Sequence, residues 1–246
     1  MKSSHPQLSI IIPAYNEESR LPPTLDKIQR YMSKKKLEYE LILVNNASND
    51  KTPIIMKEFR ERNGFTKVLT TEKKGKGLAV KTGIMAASGR YILFTDADLP
   101  TPIEEIEKFI SCLSNGNDLA YGTRNTSQSK ILVKQPFLRR LLGKAMKLYT
   151  IIFIFPRKPR PTDTQCGFKM YKKKVARELF RRQTLNGGMF DVEIMYIAKK
   201  HHYKMSEVSV IWENKKQSKV NIIKSVITNP FKLLSIPLKD FLGYYN

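Results

Sequence analysis

The sequence predicts an α/β fold with a mostly parallel, doubly wound sheet. Three observations carry that prediction. Strand-length apolar runs alternate with helix-length segments from Leu8 to Gly122. The runs LSIIIPAY and YILFT are apolar enough to be buried strands. Polar residues then collect directly after those runs, and open α/β sheets bind ligands outside the carboxyl ends of their strands.

Taken in order, residues 8–15 read as a first strand and Glu17 to Lys35 as a helix. Residues 39–46, YELILVNN, form a second strand, and Thr52 to Arg62 a second helix. Lys67 to Thr71 is a third strand, and the helix after it runs from about Leu78 to Ala87. Tyr91 to Thr95 is the fourth strand, Ile103 to Leu113 a helix, and Asp118 to Gly122 the next strand. The alternation then breaks. Residues 131–155 suggest a helix starting near Pro136, with Arg140, Lys144 and Lys147 on one stripe. Leu138, Leu141, Leu142, Ala145 and Leu148 form the other stripe. Such a helix either lies on an anionic bilayer, with Phe153 and Phe155 partly inserted, or packs on the sheet with a solvated basic face. The tail from Val220 to Tyr245 repeats the basic, apolar pattern, interrupted by Pro230 and Pro237. Residues 1–220 are expected to form one domain, with 131–160 inserted as an amphipathic segment and 221–246 as a basic tail.

Charge narrows the partners. The 246 residues carry a formal net charge of +22. Between Tyr121 and Thr162 there are ten Lys or Arg and no Asp or Glu, so one segment concentrates the attraction for an anionic partner. Two cysteines make no disulfide framework and fit a reducing, cytoplasmic compartment. Three histidines provide no metal cluster. No apolar run reaches the ~18 residues of a membrane span. The expectation is a soluble or peripheral protein. A basic nucleic-acid-binding module is the competing class, but Asp96 and Asp98 at the ligand edge would repel phosphates unless a metal intervened.

Asp96-Ala97-Asp98 is the most informative motif. The i, i+2 spacing puts both carboxylates on one side of an extended backbone. Two hard oxygen ligands suit Mg²⁺ or Mn²⁺ held jointly with substrate phosphates. The alternative is a solvated loop capping the next helix. Gly75-Lys76-Gly77 opens a helix, where an anion is favoured, and lacks the spacing of a Walker loop or a dinucleotide fingerprint. A nucleotide-sugar diphosphate near Lys73, Lys74 and Lys76 fits it. Residues 15–17, 45–50 and 96–98 end three strands at one edge and define a nucleotide crevice.

PAYNE at 13–17, the loop at 45–52, KGKGLAVKTG and TDAD together resemble a family 2 glycosyltransferase of GT-A fold. Gly122-Thr123-Arg124, Asp163-Thr164-Gln165-Cys166-Gly167-Phe168-Lys169, Phe190-Asp191-Val192-Glu193, Trp212-Glu213 and Ser218-Lys219 narrow the resemblance. They look like dolichyl-phosphate β-glucosyltransferases and, less closely, dolichol-phosphate mannosyltransferases. The resemblance spans about residues 6 to 220. It implies an inverting transfer of glucose from a UDP-sugar to a polyprenyl phosphate at the cytoplasmic face of a membrane, the alternatives being mannosyl transfer from GDP-mannose or a soluble or polysaccharide acceptor. Pro13, Ala14, Tyr15, Glu17 and Asn45 would hold the base and ribose. Asp96, with Ala97 beside it, would contact the ribose and metal side, and Asp98 would ligate Mg²⁺ or Mn²⁺. Asp191 stands where inverting relatives place a catalytic base, although an acceptor phosphate already charged at pH 7 needs little help from a base, which leaves two roles for Asp191, base or orientation of the acceptor or sugar. Arg124 and Arg139 would grip the acceptor phosphate, and Lys219 either phosphate group.

Two positions depart from the family. Asn45 and Asn46 stand where Asp is usual, though an amide oxygen still accepts the uracil N3–H. Pro100 stands where some mannosyltransferases carry a Gln metal ligand, which counts against GDP-mannose. Apart from the resemblance, Asp191 and Glu193 read as an exposed helix start, and Trp212 as a core or interface residue.

Overall fold

A computed structural model describes residues 6–133, 137–213 and 222–246, with the side chains of 137–140 and 222–227 outside the description. The alternating half follows the expected order: β1 (Leu8–Ala14), α1 (Leu21–Ser33), β2 (Tyr39–Asn45), α2 (Thr52–Arg62), β3 (Thr66–Thr70), α3 (Lys76–Ala86), β4 (Tyr91–Thr95), α4 (Ile106–Ser114) and β5 (Leu119–Thr123). A 3₁₀ turn at Ile103–Glu105 leads into α4. Helix α1 begins four residues later than expected, because Pro22 and Pro23 fit its first turn and residues 17–20 are held in a turn instead.

The second half adds β6 (Lys130–Val133), α5 (Phe137–Phe153), β7 (Phe168–Lys172), α6 (Lys173–Arg182), α7 (Phe190–Lys200), β8 (Met205–Ser209), β9 (Ile211–Glu213) and α8 (Ile222–Phe241). The main sheet has the order β3-β2-β1-β4-β7-β5-β8. Strand β7 runs antiparallel between β4 and β5, while β1 to β4 are mutually parallel where they pair. Strands β6 and β9 form a separate two-stranded parallel sheet.

Helices cover both faces, so the central strands are apolar without alternation. Ile10 and Ile12 point into a core with α1, α2 and α4, whereas Ile11 points into one with α3, α6 and α7. Leu233, Ile236 and Tyr245, in or just after α8, belong to that second core. Phe155 does too: it is buried and meets the Tyr196 ring at 6.4 Å between centroids, so it is not a membrane-inserting residue. The chain reverses beside β1, with β2 and β4 on its two sides, which opens a crevice at the carboxyl ends of these three strands.

Candidate nucleotide and carboxylate site

The crevice is built by loops that lock one another. Asn16, after β1, and Ala47, after β2, both have positive φ, 54° and 56°. Leu99, after β4, has φ 43°. Left-handed backbone at three adjacent strand ends is sustained only by surrounding contacts, and such strain gathers at binding sites. Here the contacts are explicit. Asn16 Nδ2 donates to Asn49 Oδ1 at 2.6 Å, and the Asn49 N–H returns a bond to Asn16 Oδ1 at 2.9 Å. The Asn16 N–H reaches Ser48 Oγ at 3.0 Å, and the Glu17 N–H reaches Thr52 Oγ1 at 2.7 Å.

Pro13 and Ala14 are buried within β1, so only their backbone can face a ligand. Tyr15 is half-buried, and the Lys74 ammonium lies 3.4 Å from its ring centroid. Asn45 is buried, and its amide oxygen accepts the Ser48 N–H at 3.0 Å. That leaves one lone pair for a uracil-type donor. Asn46 Oδ1 accepts the Gly75 N–H at 2.7 Å and so ties the second loop to the start of α3.

The DxD segment is not extended. Strand β4 ends at Thr95, and the Leu99 N–H bonds Asp96 O at 3.1 Å, closing a turn. The turn and two cations, rather than strand alternation, hold the carboxylates. Lys76 Nζ is 2.7 Å from Asp96 Oδ1, and Arg20 Nη1 is 3.2 Å from Asp98 Oδ2. Arg20 also forks onto Glu17, with Nε 2.6 Å from Oε2 and Nη2 2.5 Å from Oε1, linking the first loop to the DxD turn. Burial, reinforced by Asp96, holds the Asp98 carboxyl above its ordinary pKa despite Arg20. Against desolvation, Asp96, Asp191 and Asp98 raise the Lys76 ammonium above the lysine range. Ala97 is buried in the core between the two acids.

Asp191 reaches the same crevice from α7. It is 3% exposed, and Glu193 is fully buried, so neither is a solvated helix start. Asp191 Oδ1 lies 2.5 Å from Nζ of Lys169, itself 0% exposed. Burial raises the Asp191 carboxyl, opposed by Lys169 and Lys76 and helped by Asp96. Glu193 instead holds the loop before α7, accepting the backbone N–H groups of Thr184 at 3.0 Å and Leu185 at 2.8 Å, and the Tyr245 hydroxyl at 2.7 Å. That loop presses on α3: a Cβ at Gly77 would lie 2.6 Å from Leu185 O and 2.7 Å from Phe190 Cβ. Glycine there lets Lys76 approach Asp191.

Arg124 is gripped by Asp163, with Nε 2.7 Å from Oδ2 and Nη2 2.8 Å from Oδ1. Arg124 holds the Asp163 carboxyl below its ordinary pKa despite burial. The guanidinium carbon lies 5.2 Å from the ring centroid of Trp212, which is buried. The Arg139 side chain and all of Lys219 lie outside the described residues. Lys169, Arg20 and Gly167 are the contributors that sequence reasoning did not assign. Their signals were a lone charge inside the strand FKMYK, an arginine three residues after Glu17, and a glycine beside Cys166.

A second feature lies on α5 and α8, which pack together. The core side of α5 and its end is Met146, Tyr149, Ile154 and Phe155. Of the expected apolar stripe, Leu141, Ala145 and Leu148 are exposed and Leu142 is half-buried, with the Leu138 side chain outside the described residues; Ile152 and Phe153, beyond the stripe, are exposed too. Helix α8 and the residues after it add Phe231, 72% exposed, Leu238, Phe241, 88% exposed, Leu242 and Tyr244. Lys144, Lys147 and Lys232 are exposed among them. Among the described residues, no helix is long and apolar enough to cross a membrane.

Comparison with known proteins gives a consistent result. Residues 9–180 match the model of glycosyl transferase family 2. A dolichyl-phosphate beta-glucosyltransferase of Trichomonas vaginalis is 33% identical over 87% of this chain and 68% of its own length. The Drosophila melanogaster enzyme of that name is 34% identical over 84% of this chain and 67% of its own, and the Homo sapiens one 30% over 96% and 76%. Among solved structures, glucosyl-3-phosphoglycerate synthase from Mycobacterium tuberculosis, crystallised with Mn²⁺ and UDP-glucose, aligns with TM-score 0.66 at 16% identity. It covers 95% of this chain and 78% of that one, a likeness of fold.

Proposed function

The chain belongs to glycosyl transferase family 2, with a GT-A fold, and on that premise we propose that it transfers glucose, with inversion, from UDP-glucose to a polyprenyl phosphate of the dolichyl type. One observation carries the reading: Asp96, Asp98 and Asp191, from two different elements, converge on the crevice at the strand ends, each facing a cation. The relatives named above carry the glucose and dolichyl-phosphate assignment, and Pro100 offers no side-chain ligand of the mannosyl type.

A phosphate oxygen of the acceptor attacks the sugar's anomeric carbon as the bond to UDP breaks. That oxygen is already anionic, so no proton has to leave it. Asp191 then serves to orient the sugar or acceptor, and the crevice works by alignment and electrostatics. Backbone at Pro13 and Ala14, Tyr15, Glu17 and Asn45 hold the nucleoside, and Lys76 is released from Asp96 to meet the diphosphate. Two hard carboxylates, one with its proton affinity raised by burial, fit a divalent cation, and Arg20 and Lys76 already answer their demand for positive charge. Asp98 and Asp96 would hold Mg²⁺ or Mn²⁺, which supplies charge neutralisation for the departing UDP when bound. Arg124, Arg139 and Lys219 belong to the acceptor phosphate in this reading.

The outward face of α5 and α8 supports a peripheral seat on an anionic, cytoplasmic membrane surface, where a lipid phosphate is met. Apolar patches of this extent on a soluble surface mark interaction sites, and the lysines among them suit anionic headgroups. The decisive experiment incubates the protein with UDP-glucose, UDP-GlcNAc or GDP-mannose, polyprenyl phosphate and Mn²⁺. The expected result is lipid-linked sugar from UDP-glucose alone, lost in EDTA. Saturable binding of GDP-mannose with none of UDP-glucose overturns the donor, and full activity in EDTA overturns the metal.

A further inference from the structure

Lys169 is the second residue of β7, opposite Phe94 of β4 and Tyr121 of β5. Phe168, Lys169 and Met170 are all fully buried. The ammonium donates to Cys166 O at 2.7 Å and to Asp191 Oδ1 at 2.5 Å. A buried ion pair of this kind is poor evidence of a stabilising role, since apolar residues of similar volume commonly serve stability as well or better. A charge inside the sheet therefore invites a role beyond stability.

The same short segment touches the other side of the crevice. The Asp96 N–H bonds Gly167 O at 3.3 Å. A Cβ at Gly167 would lie 1.9 Å from Asp96 Oδ2, so the Asp96 carboxylate rests directly on that glycine. Residues 166–169 therefore meet Asp96 at Gly167 and Asp191 at Lys169. Upstream, the Arg124–Asp163 fork anchors the approach to the segment. The groups acting on Asp191 are Lys169 and Tyr171 on β7, Lys76 on α3 and Asp96 beyond β4.

We propose that Lys169 is a positioning residue: it fixes the Asp191 carboxylate, and the segment 166–169 sets that carboxylate's place relative to Asp96. This rests on the reading that Asp191 works on the substrates. Lys169 itself touches neither donor nor acceptor. Its ammonium has two fixed acceptors, one backbone and one carboxylate, so it restricts the rotation of Asp191 in the way that outer-shell partners hold catalytic groups.

The test compares Lys169→Met, Asp191→Asn and the double variant, all assayed with UDP-glucose and polyprenyl phosphate. Lys169→Met is expected to lower kcat by about 10- to 100-fold, with both KM values within about 3-fold of wild type. The double variant is expected to match Asp191→Asn alone within about 2-fold, because residues acting as a unit are not additive. UDP binding and the thermal melt monitor the fold. A folded Lys169→Met with wild-type kcat, or losses that multiply in the double variant, overturns the proposal while leaving the role of Asp191 intact. Wild-type activity in Asp191→Asn overturns the underlying reading instead. Should Lys169→Met alone not fold, Lys169→Arg retains the donor at altered geometry. Lowered kcat at unchanged KM then supports the role, and raised KM at unchanged kcat overturns it.

Discussion

The crevice at the strand ends and the outer face of α5 and α8 handle their costly groups in opposite ways. In the crevice, charges are partly or fully withdrawn from water and matched: Asp96 with Lys76, Asp98 and Glu17 with Arg20, Asp191 with Lys169, Asp163 with Arg124. On the helical face, apolar side chains are left largely exposed among the described residues, Phe231 and Phe241 foremost. The first arrangement fixes geometry at the expense of desolvation. The second retains a surface that an apolar environment would cover. The proposed reaction between a hydrophilic nucleotide sugar and a lipid phosphate would use both surfaces, and the chain keeps them on separate elements. The sheet loops define the crevice, and the late helices define the face.

That separation can be broken from either side. The largest effect is expected at Asp98→Asn, which removes a charge from the crevice. Its kcat should fall on the order of 10³-fold, with the fold and liposome binding unchanged by circular dichroism and flotation. Retained turnover would mean that the paired carboxylates are structural. Next is Gly167→Ala. The added methyl would displace Asp96, and a loss of roughly 10- to 100-fold in kcat is expected from such a misplacement. Unaltered kinetics would show that the contact relaxes freely.

The helical face gives the third test. Phe231→Ser, Leu238→Ser and Phe241→Ser together should abolish flotation with anionic liposomes and leave UDP affinity as it was. Because these side chains are exposed, each should change stability by no more than about 0.5 kcal/mol. Flotation of wild type should weaken at high salt, each Lys or Arg near an anionic surface contributing about 1 kcal/mol at low salt. Replacing Arg140, Lys144 and Lys147 by Glu should prevent binding yet spare nucleotide affinity. If both variants float like wild type, the face covers something other than lipid.

The smallest effect belongs to Glu40, at the far end of β2 from the crevice. It is buried, accepts the Ser9 hydroxyl at 2.6 Å and the Ser88 N–H at 2.6 Å, and pairs with Lys67 at 2.7 Å. Burial alone would raise it, but Lys67, Ser9 and Ser88 hold its carboxyl down at about 2, against 4.5 ordinarily. A depressed folded-state pKa contributes stability that is present above about 4.5 and lost as pH falls toward about 2. Glu40→Gln should therefore lower the melting temperature at pH 7, with the difference from wild type shrinking below pH 4.5. Activity at neutral pH should not move. A pH-independent difference would assign the loss to the hydrogen bonds alone.

Much of the first half was legible because local rules decide it. Continuous apolar runs between polar turns give β1, β2 and β4, and parallel pairing necessarily gathers residues 15–17, 45–50 and 96–98 at one edge. The DxD pair, Lys76 and the residues of PAYNE were found there for that reason. Strand β7 escaped, since Lys169 and Lys172 interrupt its apolar pattern. A carboxylate 22 residues away, on α7, together with the Cys166 carbonyl, makes a buried lysine tolerable. Phe155 illustrates the same limit on the other side: the apolar helix and its end look uniform in sequence, but contact with Tyr196 buries one ring while Phe153 stays exposed.

The sequence by itself determined the strand–helix order, the edge at which polar residues collect, and the basic, acid-free stretch that seeks an anionic partner. These follow from short-range periodicity and from charge, which need no knowledge of neighbours. The tertiary structure alone decided the antiparallel insertion of β7, the cation that each carboxylate faces, and the outward turn of the α5 and α8 apolar side chains. Each of those depends on residues distant in sequence meeting in a low-dielectric interior, where an unmatched charge is excluded and a matched one is held in place.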